Sequence, residues 1–139
     1  MADGVKIEIV SPEYLVLSAE AKSVTVPGAE GYFTVMGPHA PLMSTLRPGF
    51  VTVVDPAGAE TRYFVLGGFA DVNNGGLTIL AEQARPASEF GRTEIEARIT
   101  AAQEALNKAE GVDEKMAAQA ELDQWKNLLL EATSTGVAH

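Results

Sequence analysis

Between Ala81 and Thr93 the hydrophobic period of the chain changes from two to about 3.6, and no other feature constrains the fold as much. Upstream, apolar and polar residues alternate in short runs separated by Gly, Pro, Asn and Asp. Downstream, apolar residues recur every three or four positions. Alternation sends every second side chain to one face of a strand, whereas the longer period draws a stripe along a helix. The chain is therefore expected to hold a β domain over residues 1–87 and a helical element over residues 88–139.

About nine strands are predicted in the first part. They are Val5–Val10, Tyr14–Leu17, Ser23–Val26, Tyr32–Met36, Leu42–Leu46, Phe50–Val54, Thr61–Leu66, Phe69–Val72 and Leu77–Ala81. Val5, Ile7 and Ile9 share one face of the first, which stops at Ser11-Pro12 because proline donates nothing to a ladder. Pro27-Gly28, Asp55-Pro56-Ala57-Gly58 and Asn73-Asn74-Gly75-Gly76 read as turns. Strands this short and evenly spaced predict an antiparallel β-sandwich or flattened barrel.

The second part predicts an antiparallel two-helix hairpin, with helices at about 93–110 and 113–133. Thr93 and Glu96 form a capping-box pattern, and Ile95, Ile99, Ala102 and Leu106 recur at intervals of four, three and four. Asp113 is the expected N-cap of the second helix, whose stripe is Ala118, Leu122, Trp125, Leu129 and Ala132. Leu128 and Leu130 fall off that stripe, so the helix shows apolar surface in more than one direction. A link of only Gly111-Val112-Asp113 turns the helices antiparallel. Two such helices cover only half of each other's stripe and need a further surface. The tail from Thr133 to His139 is expected to be disordered.

Charge and composition remove several functions. The net charge is −9, and 46% of residues are hydrophobic, enough to build a core. Met1 to Ser88 carries five basic and nine acidic residues, and Glu89 to His139 five and ten. With no basic cluster to neutralise phosphates, nucleic acid and anionic lipid are not expected partners. There is no cysteine, hence no disulfide or thiolate metal site. The N-terminus lacks the order of a signal or transit peptide, and no run is long enough to span a membrane, so a cytoplasmic location without direct membrane insertion is expected.

Pro27 to Met43 is the most distinctive segment and holds the single internal histidine, His39, between Pro38 and Pro41. No Ser, Asp or Glu lies between Thr34 and Met43 to serve as a catalytic companion, so a recognition loop is the expected role and no catalytic or metal residue is assigned. Gly67-Gly68 and Gly75-Gly76 match neither phosphate-binding glycine pattern and open no helix, and they read as turns.

In this order the segments resemble the epsilon subunit of the F-type rotary ATP synthase, equivalent to the mitochondrial delta subunit. The resemblance rests on Ser11-Pro12, on Glu30-Gly31 through Gly37-Pro38-His39-Ala40-Pro41-Leu42, and on Arg47-Pro48-Gly49. Leu66-Gly67-Gly68-Phe69-Ala70-Asp71-Val72 and Leu77-Thr78-Ile79-Leu80-Ala81 complete it. It implies a non-catalytic subunit of the central stalk, bound to the gamma subunit and the membrane c-ring, on the cytoplasmic face of a bacterial inner membrane. By position, Ser11, His39 and Ser44 match the family's gamma-facing residues, and Glu30, Gly31 and Tyr32 its c-ring-facing turn. Many relatives carry an acid where Tyr32 stands, so an ion pair with the ring falls to Glu30.

The family's helical hairpin can also extend into the alpha/beta catalytic head and suppress ATP hydrolysis; here its second helix brings only Lys115 and Lys126 to acidic segments of that head. Some members hold ATP with an I/L-D-x-x-R-A motif. In this chain that motif falls on Phe90 to Ile95, with Gly91 in place of the acid and Glu94 in place of the arginine. The shifted reading Ile95-Glu96-Ala97-Arg98 sets acid and base about 200° apart around a helix, so no cofactor is expected. A nucleotide-sensing regulatory module is the alternative function, and a β-sandwich enzyme dependent on His39 a third.

Overall fold

The computed structural model describes residues 4–37, 40–73, 75–89 and 92–135, the last four by backbone only. The chain divides into two compact units, residues 1–86 and 87–139. The first is a sandwich of ten strands: β1 Val5–Val10, β2 Leu15–Ala21, β3 Ser23–Gly28, β4 Gly31–Val35 and β5 Leu42–Thr45, then β6 Gly49–Val54, β7 Glu60–Leu66, β8 Phe69–Asn73, β9 Gly76–Leu80 and β10 Gln83–Pro86. They form two five-stranded sheets, ordered β2-β1-β9-β8-β5 and β10-β7-β6-β3-β4.

The alternation read from the sequence sets the core. Ile7 and Ile9 of β1, Val24 and Val26 of β3, Val51 of β6, Val65 of β7 and Ile79 of β9 are fully buried in one cluster between the sheets. Each such side chain contributes roughly 1.5–3 kcal/mol by leaving water. On the second sheet, the cross-strand pair Phe50 and Phe64 meets edge to face, with ring centroids 5.9 Å apart at 66°.

Four details depart from the sequence expectation. The sheets are antiparallel except where β1 runs parallel to β9, with Ile9 opposite Ile79; that pairing joins distant segments through no hairpin, so no local signal announces it. A tenth strand, β10, pairs with β7 at a sheet edge. There the missing N–H of Pro86 leaves no hole in the interior of the ladder. β2 extends to Ala21. β3 also runs through Pro27 to Gly28, closing a tight hairpin in which Gly28 pairs with Gly31.

The second unit holds a short 3-10 turn, Ala87–Glu89, and two helices, α1 Arg92–Lys108 and α2 Val112–Thr135. Both helices begin one residue before their predicted starts, which changes their caps. Thr93 therefore lies inside α1, and the Glu96 carboxylate reaches Arg92 at 3.6 Å. Gly111, not Asp113, is the N-cap of α2, since its carbonyl accepts the first helical bond, from the Lys115 N–H at 3.2 Å. The Glu114 side chain reaches back to accept from the Glu110 N–H at 3.1 Å.

Along α1, Ile95 and Ala102 are buried, and Ile99 and Leu106 half-buried, as the stripe predicts. Along α2 the buried line is Leu122, Trp125 and Leu128. Leu128 therefore belongs to the buried face, whereas Leu130 is 69% exposed. The Arg98 guanidinium of α1 lies 5.3 Å from the centre of the Trp125 ring of α2, a cation–π contact that shows the helices running antiparallel. α2 continues through Thr135, past the predicted end at 133; the rest of the tail lies outside the described residues.

Candidate partner-binding surface

The sheet β2-β1-β9-β8-β5 turns one face to the core and the other to solvent, and the register decides which side chains share the outer face. Val10 pairs with Leu15 and, on its other side, with Leu80; Leu80 pairs with Phe69, and Phe69 with Thr45. A single row thus crosses all five strands on the solvent side. Leu15 is 56% exposed, Leu80 40% and Phe69 39%.

The next outward row is Ser18, Glu8, Thr78, Asp71 and Met43, polar except for Met43, which is 64% exposed. A line of solvent-facing aliphatic and aromatic groups bounded by polar residues is the composition of an interface core with its rim. Val10, Leu80 and Phe69, the middle of the apolar row, also line a shallow, largely apolar groove with Pro12 and Ala81.

Ser11 also lines that groove, buried, with both its N–H and its hydroxyl donating to the Tyr14 carbonyl, at 3.0 and 3.2 Å. It shapes the turn that presents Tyr14 and Leu15, and its hydroxyl is already committed. Ser44 lies on β5 opposite Ala70, half-buried, and its hydroxyl donates to the Thr45 carbonyl at 3.0 Å. It shares the inward register of Ala70, and its neighbours Met43 and Thr45 face out. Ser11 and Ser44 therefore stand at opposite ends of the apolar row. His39 lies outside the described residues, as do Phe90 and Gly91.

The other predicted set gathers at one corner. Glu30 is exposed at the tip of the hairpin between β3 and β4, followed by Gly31 at φ 134°. Tyr32 is 41% exposed, and its hydroxyl accepts the Phe50 N–H at 3.2 Å. The Ala29 N–H of the same turn donates to the Thr45 carbonyl at 2.9 Å, tying the turn to the end of β5. The outward residues Leu15, Met43, Phe69 and Leu80 were not singled out from the sequence. Phe69 and Leu80 face opposite to their chain neighbours Ala70 and Ile79, and only the strand order makes the two neighbours of each other.

Among the described residues no group of three or more His, Asp or Glu side chains could hold a metal ion. The comparisons with known proteins give the family. Residues 4–87 match the family model for the β-sandwich domain of the ATP synthase delta/epsilon chain. The ATP synthase epsilon chain of Mesorhizobium japonicum is 46% identical over 121 residues, which are 87% of this chain and 88% of the relative.

The chain belongs to the ATP synthase delta/epsilon family.

The epsilon chain of Parvibaculum lavamentivorans is 39% identical over 128 residues, 92% of this chain and 97% of the relative, so the likeness includes the helices. At the level of fold, the chain resembles one in the Euglena gracilis mitochondrial ATP synthase, solved as OSCP, F1 and c-ring. That likeness has a TM-score of 0.76 at 21% identity and covers 96% of this chain and 82% of the other. A chain in the central stalk and c-ring of the Tetrahymena thermophila mitochondrial enzyme gives a TM-score of 0.64 at 15% identity, covering 93% and 96%. As an epsilon chain, the protein is a non-catalytic subunit, and the catalytic chemistry of the synthase lies in the beta subunits. No described helix is long and apolar enough to cross a membrane.

Proposed function

We propose that this chain couples gamma to the c-ring in the central stalk of a proton-translocating ATP synthase, peripheral to the cytoplasmic face of a bacterial inner membrane. The observation that carries the reading is the apolar row Leu15, Val10, Leu80 and Phe69, exposed across a rigid sheet. Such a row is costly to leave in water and gains by burial against another subunit. We place gamma there, between Ser11 at one end and Ser44 at the other, with His39 on the adjoining loop. The turn Glu30-Gly31-Tyr32 faces the c-ring, and Glu30, the charged group at its tip, pairs with a basic residue of the ring.

Co-expression with gamma tests this reading. A stable complex that survives size exclusion is expected, and its absence would end it. No cofactor is assigned, because the ATP-holding motif is unmatched in the sequence; calorimetric titration of the full chain with millimolar ATP should give no heat of binding, and a saturable signal would favour the nucleotide-sensing alternative. The hairpin is the regulatory part, directed at the alpha/beta head. Removing the residues after Ala87 from the assembled enzyme should raise ATP hydrolysis, and an unchanged rate would take inhibition out of the reading.

A further inference from the structure

The seam between β3 and β6 opens part-way along. β3 pairs with β6 only from Ser23 to Thr25, opposite Val54 to Thr52. Beyond that, β3 turns toward the segment after β5: the Pro27 carbonyl accepts from the Arg47 N–H at 3.1 Å, and Gly28 forms a bridge with Leu46. In an unbroken ladder the next acceptor for β6 would be that Pro27 carbonyl, facing the Phe50 N–H. Arg47 has taken it, and Phe50 donates instead to the phenolic oxygen of Tyr32, which reaches over from β4. Residue 49 makes the room. A Cβ at Gly49 would stand 2.8 Å from the Tyr32 hydroxyl and 2.8 Å from the Pro27 Cβ, so only glycine admits the latch.

We infer that Tyr32 is a positioning residue, whose hydroxyl fastens the hairpin between β3 and β4 to β6 and so sets where Glu30 stands. Buried backbone donors are costly to strand, and a phenol is long and stiff enough to cap one across an intervening strand. The turn is then held on two sides, by Tyr32 on Phe50 and by the Ala29 N–H on the Thr45 carbonyl. A load on Glu30 passes into β6 and β5 instead of bending the hairpin. The Tyr32 hydroxyl serves the corner, and Glu30 serves the partner. The functional half of this inference rests on the reading of the turn as the c-ring contact; the latch itself does not.

Amide hydrogen exchange on the full isolated chain tests the latch. Tyr32→Phe keeps the ring and removes only the oxygen; exchange at Phe50 should quicken about tenfold while Thr52, within the ladder, stays unchanged. Gly49→Ala, which displaces the hydroxyl from the other side, should reproduce that pattern. Unchanged exchange at Phe50 in Tyr32→Phe would overturn the latch.

The second measurement is ATP-driven proton pumping by the assembled synthase carrying Tyr32→Phe, Glu30→Gln or both. If Tyr32 acts through the placement of Glu30, each single change lowers coupling and the double change is no worse than Glu30→Gln alone. Additive losses would show direct contact by the phenol and overturn the positioning role. Unaltered pumping in Glu30→Gln with faster exchange at Phe50 would overturn the ring contact and leave the latch standing.

Discussion

Sandwich and helical pair differ in how their buried residues are held. In the sandwich, Ile7, Ile9, Val24, Val26, Val51, Val65, Ala70 and Ile79, drawn from six strands of two sheets, have no exposed surface. In the helical unit each helix buries one line, Ile95 and Ala102 on α1 and Leu122, Trp125 and Leu128 on α2, while the other helical positions whose side chains are described are partly or fully exposed. A strand enclosed by neighbours has its register set many times over, since a slip of one residue would expose its whole inward set. A helix keeps its hydrogen bonds however its stripe is covered. The sandwich thus holds its outer face in one register, whereas each helix is held through a single buried line.

That contrast can be broken by substitution. Gly68→Ala should be the most damaging: Gly68 has φ 96°, and a Cβ there would run into the Leu80 carbonyl oxygen. A loss above about 4 kcal/mol is expected, enough to abolish soluble folded protein at 37 °C, with the soluble yield and circular dichroism as readouts. Near wild-type stability would mean that the corner yields more easily than its packing suggests. Ile79→Ala comes next, at about 3 kcal/mol in urea denaturation, from the lost transfer energy and the cavity left behind.

In the helical unit the effects shrink. Arg98→Ala removes the cation–π contact with Trp125, the single tryptophan, whose fluorescence reports on this unit directly. The expected cost is about 0.5–1 kcal/mol. A cost as large as that of Ile79→Ala would erase the distinction between the two regions. Glu96→Gln should be nearly silent, within about 0.5 kcal/mol, because its pairing with Arg92 is between groups 56% and 51% exposed.

The alternation in β1, β6 and β9, the helical stripe of α1 and the Leu122 and Trp125 part of that of α2 were legible in the sequence because period and burial are local properties of the chain, whereas Leu128, read as off the stripe, is buried. The parallel pairing of β1 with β9 was not legible, since it depends on which distant strand arrives beside which. Nor was β10, a four-residue strand ending in Pro86 with only Ala84 to bury. Thr93 and Asp113 fall inside the first turns because a capping pattern in sequence places a helix start only to within one or two residues. Of the site, Glu30 lies exposed at a hairpin tip just after Pro27-Gly28, read in sequence as a turn. The hydroxyls of Ser11 and Ser44 are held by their own chain neighbours Tyr14 and Thr45, whereas that of Tyr32 finds its partner only when the fold brings Phe50 beside it.

The most direct test of the proposal that this sheet faces gamma is the affinity of gamma for the full chain carrying Phe69→Asp and Leu80→Asp together. Both side chains point to solvent, so circular dichroism should match wild type while the complex weakens by at least about a hundredfold, as expected when two apolar anchors at the centre of an interface are replaced by charges. An intact fold with undiminished binding of gamma would contradict the assignment of this face.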